Sequence, residues 1–200
     1  MKTLTIAAIA AAALALAGTA GAALVPGVFD PDKTGCPIAK VSHHWLHLEK
    51  NCATTTNASA GADITGLEGQ PFVSGSFTLR SPSQCQGGSP RFDIVTTTGT
   101  FFLGCNNVTP VTNADGTATY TFTAATIAAG GNQVPVPTGT IRAADVLIDV
   151  QGTADLKDVT LNGVKQKAAK RDHHMKNCHG NRGDRSDQGR HRHHHHHHDH

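Results

Sequence analysis

The C-terminal histidines are the residues whose type and spacing point most directly to chemistry. Neutral imidazoles with a thiolate nearby are good ligands for Zn(II), Ni(II) and Cu(II), and a run of them lets several ring nitrogens reach one ion without a preformed site. The sequence therefore predicts that this segment chelates transition metals. The candidate ligands are His173, His174, Cys178, His179, His191, His193, His194, His195, His196, His197, His198 and His200.

Three other interpretations of this segment stay open. One is a purification tag, although Asp199 and His200 follow the histidine run, where a tag would normally close the chain. Another is a low-complexity extension under little selection. The third is electrostatic: residues 165–200 hold nine Lys or Arg against four Asp. Below about pH 6.5 the histidines add further positive charge, which would hold the segment to anionic cell walls or acidic polymers.

A second histidine cluster surrounds the only tryptophan. If residues 41–50 form one strand, His43 and His47 flank Trp45 on one face and His44 lies on the other. Such a face can bind a metal ion or stack on a sugar ring. We favour an ordinary half-buried strand face, because no carboxylate or cysteine completes a metal site by spacing.

Four aspartates near the last predicted strands form a candidate calcium site in the β-domain, since Ca(II) sites built from oxygen ligands commonly stabilise extracellular domains. Their spacing follows no ligand pattern, so solvated carboxylates in turns are the interpretation that we favour. The four residues are Asp145, Asp149, Asp155 and Asp158.

The sequence lacks the usual catalytic motifs. It contains no Gly-x-Ser-x-Gly, no His-Glu-x-x-His, no phosphate-binding Gly-rich loop and no Cys-x-x-Cys-His. Paired carboxylates for glycoside hydrolysis remain compatible with it, because such partners come from distant strands. We therefore expect a protein without catalytic activity and keep a hydrolase as a further hypothesis.

Five cysteines in a chain predicted for export indicate disulfide bonds. Several pairings are compatible with the sequence, which does not choose among them. We predict Cys36 with Cys52 and Cys85 with Cys105, because each pair closes a short loop that a hairpin can bring together. Cys178 is then free or pairs with another chain.

Residues 1–22 have the pattern of a signal peptide. Lys2 supplies a positive charge, residues 4–16 are apolar, and small residues precede a cleavage site after Ala22 or Ala23. The apolar run is shorter than the roughly 20 residues that a membrane span needs, and no second long apolar run follows. We expect a secreted, extracellular protein without a transmembrane segment.

Residues 23–164 have the composition and spacing of a single β-rich domain. Seven segments rich in β-formers and bounded by Gly, Pro or Ser predict strands, with no long amphipathic helix between them. This pattern predicts an all-β fold, an antiparallel β-sandwich of the jelly-roll kind. The predicted strands are residues 41–50, 74–80, 91–97, 100–105, 117–123, 141–150 and 156–161.

The remaining segments carry weaker signals. Residues 58–67 and 124–129 fit either a short helical turn or a loop, and residues 130–137 fit an exposed loop. From residue 165 onward the hydrophobic pattern stops, which predicts a disordered, basic, His-rich tail over residues 165–200.

Residues 85–96 (CQGGSPRFDIVT), continued by residues 99–105 (GTFFLGC), resemble a group of poorly characterised secreted actinobacterial-type proteins. Residues 48–51 and 58–64 look like the same group, and residues 149–162 are similar to the last strands of jelly-roll carbohydrate-binding modules. The resemblance implies a jelly-roll-like fold with Cys85 bonded to Cys105. It carries no activity that transfers to this chain.

The leading hypothesis is a secreted, non-enzymatic module that binds polysaccharide or cell wall and carries a metal-chelating tail. A secreted metal-sequestering protein is the second hypothesis and a secreted hydrolase the third. The expected partners are polysaccharide and transition-metal ions, with no nucleic acid. A shortage of aromatic platforms weakens the carbohydrate hypothesis, because most phenylalanines fall in predicted strands where core packing is their usual role.

Overall fold

Two β-sheets packed face to face make up residues 22–168, the part of the chain that the computed structural model describes. The predicted all-β sandwich is confirmed. A short helix, α1 (Ala124–Ala129), accompanies the strands. The strands are β1 (Ala23–Phe29), β2 (Pro37–Ser42), β3 (Trp45–Lys50), β4 (Ser59–Ile64), β5 (Gly75–Leu79), β6 (Arg91–Thr96), β7 (Thr100–Gly104), β8 (Val111–Thr112), β9 (Ala118–Phe122), β10 (Ile141–Ile148), β11 (Gly152–Leu161), β12 (Val164–Lys165) and β13 (Lys167–Ala168).

The strand order brings distant parts of the chain side by side. Sheet A has the order β13-β1-β4-β10-β6-β7, and sheet B has the order β2-β3-β11-β5-β9-β8 with β12 paired to β11. Within residues 22–168 the strand pairs are antiparallel, except that β1 and β13 run parallel. Neighbours in the middle of sheet A therefore come from three separate regions of sequence.

Alternate residues of each strand build the core between the sheets. Strand β3 buries Leu46 and Leu48 and turns Trp45 and His47 to the outer face of sheet B. Ring centroids 5.4 to 5.6 Å apart mark an aromatic cluster at the centre of the core. Its members are Phe77, Phe92, Tyr120 and Phe122. The outer faces of both sheets carry most of the polar and charged side chains, together with exposed apolar residues such as Phe29 and Phe102.

The prediction of a single strand over residues 41–50 is wrong, because a tight turn interrupts it. His43 and His44 have φ of 48° and 68°, and they join β2 to β3 as a hairpin. Two consecutive left-handed residues are the geometry of a type I′ turn, whose twist matches that of the strands it connects. His43 therefore lies at the turn and does not flank Trp45 along a strand.

Three weakly patterned segments acquire regular structure. The entry to the domain becomes β1, and residues 59–64 form β4 between β1 and β10. Residues 124–129 form α1, where the Thr123 side chain accepts a hydrogen bond from the Thr126 backbone N–H and caps the helix. Residues 59–64 form a strand because they pair with β1 on one side and with β10 on the other. The Ala- and Gly-rich sequence alone fits a turn equally well.

The domain also extends beyond the predicted boundary at residue 164. Strand β12 pairs with β11 in sheet B, and β13 pairs with β1 in sheet A. Between them, Gln166 is only 4% exposed. The predicted start of the disordered tail at residue 165 is therefore wrong by four residues, since residues 165–168 pair with both sheets.

Both predicted disulfide bonds are confirmed. Cys36 and Cys52 are joined with a Cα–Cα distance of 5.6 Å, and Cys85 and Cys105 with one of 5.8 Å. The first ties together the open end of the β2–β3 hairpin, and the second joins the segments that precede β6 and follow β7. Cys178 lies outside the described residues, as do residues 1–21 of the predicted signal peptide.

No helix among residues 22–168 is long and apolar enough to cross a membrane.

Candidate functional site

Three aspartates lie side by side on the outer face of sheet A. Asp145 on β10 is directly opposite Asp63 on β4 and directly opposite Asp93 on β6. Their chain neighbours, among them Ala62 and Ile94, point into the core. We call Asp63, Asp145 and Asp93 the carboxylate row. Like charges placed directly opposite each other destabilise a sheet, so this arrangement calls for a physical explanation.

Asp145 at the centre of the row is the most strongly perturbed acid of the described domain. Burial, and then the charges of Asp93 and Asp63, raise the pKa of Asp145 to about 7, against a smaller opposing effect of Arg91. Within residues 22–168 its buried Oδ1 atom has no hydrogen-bond partner. Near neutral pH this carboxyl is therefore divided between its protonated and ionised forms, which is the condition for acid–base chemistry.

Arg91 links the row to a fourth carboxylate. Its Nε donates to Asp93 Oδ1 at 2.6 Å, and its Nη1 donates to Asp149 Oδ2. Ser89 Oγ donates to Asp149 Oδ1 at 2.7 Å. Burial acts to raise the pKa of Asp149, but the bonds from Arg91 and Ser89 hold it below its usual value. Asp149 therefore stays ionised at a pH where Asp145 is partly protonated.

Exposed aromatic rings lie at two places on the same face. Phe29 on β1 is 55% exposed, and Phe102 on β7, directly opposite Asp93, is 53% exposed. The Arg91 guanidinium sits over the Phe102 ring, 5.3 Å from its centroid. Each ring offers an apolar surface beside charged hydrogen-bonding groups.

Two depressions on this face are lined by Phe29. One, of about 430 Å³, is lined by Phe29, Arg91, Asp149 and the loop at residues 54–59. The other, of about 220 Å³, is lined by Phe29, Gly61 and Asp145 among others. Gly61 allows close packing here, because an added Cβ would lie 2.8 Å from the Cβ of Leu147. The face is thus indented beside the carboxylate row.

A buried ammonium fixes the loop that borders the larger depression. Lys50 is 1% exposed, and its Nζ donates to the carbonyl oxygens of Thr54, Thr56 and Asp149 at 3.0, 2.8 and 2.6 Å. Three charge-assisted bonds hold residues 54–56 against the end of β10. The wall of the depression is therefore positioned from inside the domain.

The four aspartates of the predicted calcium site do not come together. Asp145 lies in the carboxylate row, and Asp149 pairs with Arg91. Asp155 lies on sheet B beside His47, and Asp158 pairs with Lys165. The part of the chain that the structure describes contains no group of three or more His, Cys, Asp or Glu residues arranged to hold a metal ion.

Trp45 and His47 share the outer face of sheet B as predicted. His47 Nδ1 lies 2.9 Å from Asp155 Oδ1, and Nε2 lies 3.3 Å from Glu49 Oε2. Two carboxylates therefore lie beside this histidine, and within residues 22–168 the three side chains are not a group arranged to hold a metal ion. Glu49 was detectable, since it follows His47 by two residues and so shares its face, whereas the pairing with Asp155 depends on strand register.

The predicted metal ligands of the tail, from His173 to His200 and including Cys178, lie outside the described residues. Sequence reasoning also missed the carboxylate row. Alternation in RFDIVT places Asp93 on the outer face, and the pairing of β4 places Asp63 there, but their meeting at Asp145 depends on strand order and register.

No family model, no curated protein and no solved structure matches this chain. The site is therefore interpreted from its own geometry.

Proposed function

We propose that this domain is a non-enzymatic extracellular module that binds polysaccharide on the outer face of sheet A. The observation that carries the proposal is the carboxylate row with exposed Phe102 opposite Asp93 at one end, on the same face as exposed Phe29, which lies four residues along β1 from the partner of Asp63. Phenyl rings stack on the apolar faces of sugar rings, while carboxylates accept hydrogen bonds from sugar hydroxyls. The indented, charged surface offers both kinds of contact along one strip.

The strip matches an extended ligand in size. Phe102 on β7 and β1 are four strand spacings apart, about 19 Å, so the face is long enough for several sugar units. An extended polymer gains affinity from many weak contacts along such a face. A compact metabolite would use only one of the two depressions.

Retention on insoluble polysaccharides tests the proposal. Full-length protein is incubated with cellulose, chitin and purified cell wall, and the bound fraction is measured. Phe102→Ala should weaken retention on the preferred polymer by about tenfold, because a stacking contact is lost. Val73→Ala removes another exposed apolar side chain, 65% exposed, away from sheet A and serves as the matched control. Absence of retention on every polymer, or equal losses in both variants, would contradict the proposal.

A hydrolase is the second candidate, and the carboxylate row favours it. Asp145 has the raised pKa of a general acid, and Asp93 and Asp63 lie on adjacent strands. Residues opposite each other across antiparallel strands have Cβ atoms about 5 Å apart, near the separation of the two carboxyls in retaining glycosidases. New reducing ends released from the retained polymer, and abolished in Asp145→Asn, would replace the binding proposal with this one.

Metal chelation by the tail remains a separate proposal, with metal sequestration as its biological form. The structure changes how it is tested, because a truncation at Gly163 would remove β12 and β13 from the sheets. Zn(II), Ni(II) and Cu(II) are titrated by calorimetry into the full chain and into a chain ending at Ala168. Sub-micromolar binding of defined stoichiometry that the truncation abolishes would support metal handling. Weak binding of indefinite stoichiometry would count against it.

A further inference from the structure

The outer face of sheet B gathers positive charge around the chain's single tryptophan. The Arg80 Cζ atom lies 4.6 Å and the Lys157 Nζ atom 5.0 Å from the centroid of the Trp45 ring. Both distances are within the range of about 6 Å for cation–π attraction. The indole therefore holds a guanidinium and an ammonium near each other, although their like charges repel.

A depression of about 220 Å³ adjoins the ring and adds further nitrogen donors. Lys40 and His43 line it together with Trp45 and Arg80, and the paired side chains of His47 and Asp155 also reach it. Lys40 is exposed, and its ammonium has no hydrogen-bond partner within residues 22–168. The Ser42 hydroxyl lies 2.8 Å from His43 Nδ1, which fixes the ring at the turn. Positively charged and neutral donors thus surround the depression on two sides.

The carboxylates of this face are already engaged. Burial acts to raise the pKa of Asp155, but bonds from His47 and Gln84 and the charge of Arg80 keep it below its usual value. Arg80 reaches Asp155 only through Nε, at 3.3 Å, which leaves both terminal nitrogens of its guanidinium unused within the described domain. Glu49 faces His47, the same ring that Asp155 contacts. The unused donors among the described residues of this face are thus cationic, and each of these two carboxylates has at least one oxygen in contact with the His47 ring.

The ion pair that Lys157 forms is weak. Its Nζ lies 3.4 Å from Asp115 Oδ2, a long contact with a side chain that is 58% exposed. An exposed pair of this kind contributes little and exchanges readily with a stronger anion. Lys157 can therefore turn toward a ligand oxyanion without losing a buried interaction.

We propose that Lys40, Trp45, Arg80 and Lys157, the Trp45 patch, form a second binding site that takes an oxyanion of an acidic polymer. The guanidinium fork of Arg80 matches a carboxylate or sulfate ester, and the two ammonium groups supply point charges beside it. The patch lies on the other sheet from the carboxylate row. It goes beyond the polysaccharide-binding function proposed for that row and does not depend on it.

Fluorescence of full-length protein reports on the patch directly, because Trp45 is the only tryptophan. The probes are polygalacturonate for the carboxylate and dextran sulfate for the sulfate ester, with neutral dextran as control. A saturable change in Trp45 emission with at least one anionic polymer, and none with dextran, is the expected result. The polymer that binds more tightly identifies which oxyanion the site prefers.

Charge-neutralising variants separate this site from general attraction to positive charge. Arg80→Gln and Lys40→Gln should each weaken binding by about tenfold, since each removes one charge-assisted contact. Arg142→Gln, which removes an exposed arginine from β10 of sheet A, should change binding less than twofold. Lys40 has no hydrogen bond to lose within the described residues, so its variant keeps the fold, which thermal unfolding checks. Unchanged emission with both polymers, or equal weakening by Arg142→Gln, would overturn the proposal.

Discussion

Replacing Asp145 by asparagine should stabilise the domain at neutral and alkaline pH. The folded protein raises the pKa of this carboxyl from 3.8 to about 7 through burial and the charges of Asp93 and Asp63. Between about pH 4 and pH 7 the folded state therefore keeps a proton that the unfolded chain has released. Stability falls as pH rises through this window, because ionising Asp145 in the folded state is unfavourable.

The magnitude follows from the shift. About three pKa units correspond to about 4 kcal/mol if the whole shift is converted. Asp145 is only half-buried, and solvent screening reduces this to about 2 kcal/mol. The asparagine side chain is neutral at all pH values, so Asp145→Asn should be more stable than the natural chain by about 2 kcal/mol at pH 8 and nearly equal at pH 4. For a domain of this size the gain at pH 8 corresponds to about 4 to 8 °C in Tm.

Urea unfolding followed by Trp45 fluorescence at pH 4.5 and pH 8 measures the effect. Asp32→Asn, an exchange at an exposed loop position, serves as the control and should leave the pH dependence unchanged. The reasoning is refuted if Asp145→Asn is no more stable than the natural chain at pH 8. It is also refuted if the variant keeps the full loss of stability between pH 4.5 and pH 8.

Two further predictions concern what holds the site in place. Lys50→Met should lower the free energy of unfolding by about 3 to 5 kcal/mol, because three carbonyl oxygens lose a buried cationic donor. Lys40→Met at the surface should cost less than about 0.5 kcal/mol in the same urea titration, and similar losses in both variants would contradict the role given to Lys50. Replacing Cys85 and Cys105 together by serine should cost about 3 kcal/mol through the freed loop. An unchanged Tm in that variant would show that the β6–β7 segments need no covalent tie.

Alternation predicted the strands whose two faces differ in polarity. The segments around β6 and β9 are clear cases, since apolar and polar residues alternate there and β-branched residues are frequent. Strand β4 lacks that contrast because its buried positions are mostly Ala and its sequence contains Gly, so only pairing with β1 and β10 reveals it. The His43–His44 turn was missed because type I′ turns are usually recognised by Asn and Gly, and histidine in this role gives no such signal.

The site was less accessible to sequence reasoning than the fold. Each outward aspartate of sheet A can be placed on its face from its own strand, but nothing in the sequence aligns Asp63, Asp145 and Asp93. They lie on strands separated by about 30 to 80 residues, and a shift of register by one residue would reverse the face of each. The candidate calcium site grouped aspartates by proximity along the chain, and the structure places these four apart for the same reason.

The protonation of Asp145 distinguishes binding from catalysis on the outer face of sheet A. An ionised carboxylate accepts hydrogen bonds from sugar hydroxyls more strongly than a protonated carboxyl does, so such contacts at pH 7 would favour loss of the proton that Asp145 holds about half of the time. A general acid must instead keep its proton when the ligand is bound. Calorimetry of polysaccharide fragments in two buffers of different ionisation enthalpy counts the protons released.

Release of about half a proton at pH 7, absent in Asp145→Asn, is expected for the binding module. Proton uptake on binding would contradict that role and favour the hydrolase, because the ligand would then select the protonated carboxyl. Without ligand, the Asp145 carboxyl lowers the stability of the domain at this pH. A neutral side chain at position 145 would not do so. A binding partner that donates hydrogen bonds to Asp145 would offset that loss of stability. Ligand binding would then strengthen as pH rises, whereas the stability of the fold decreases.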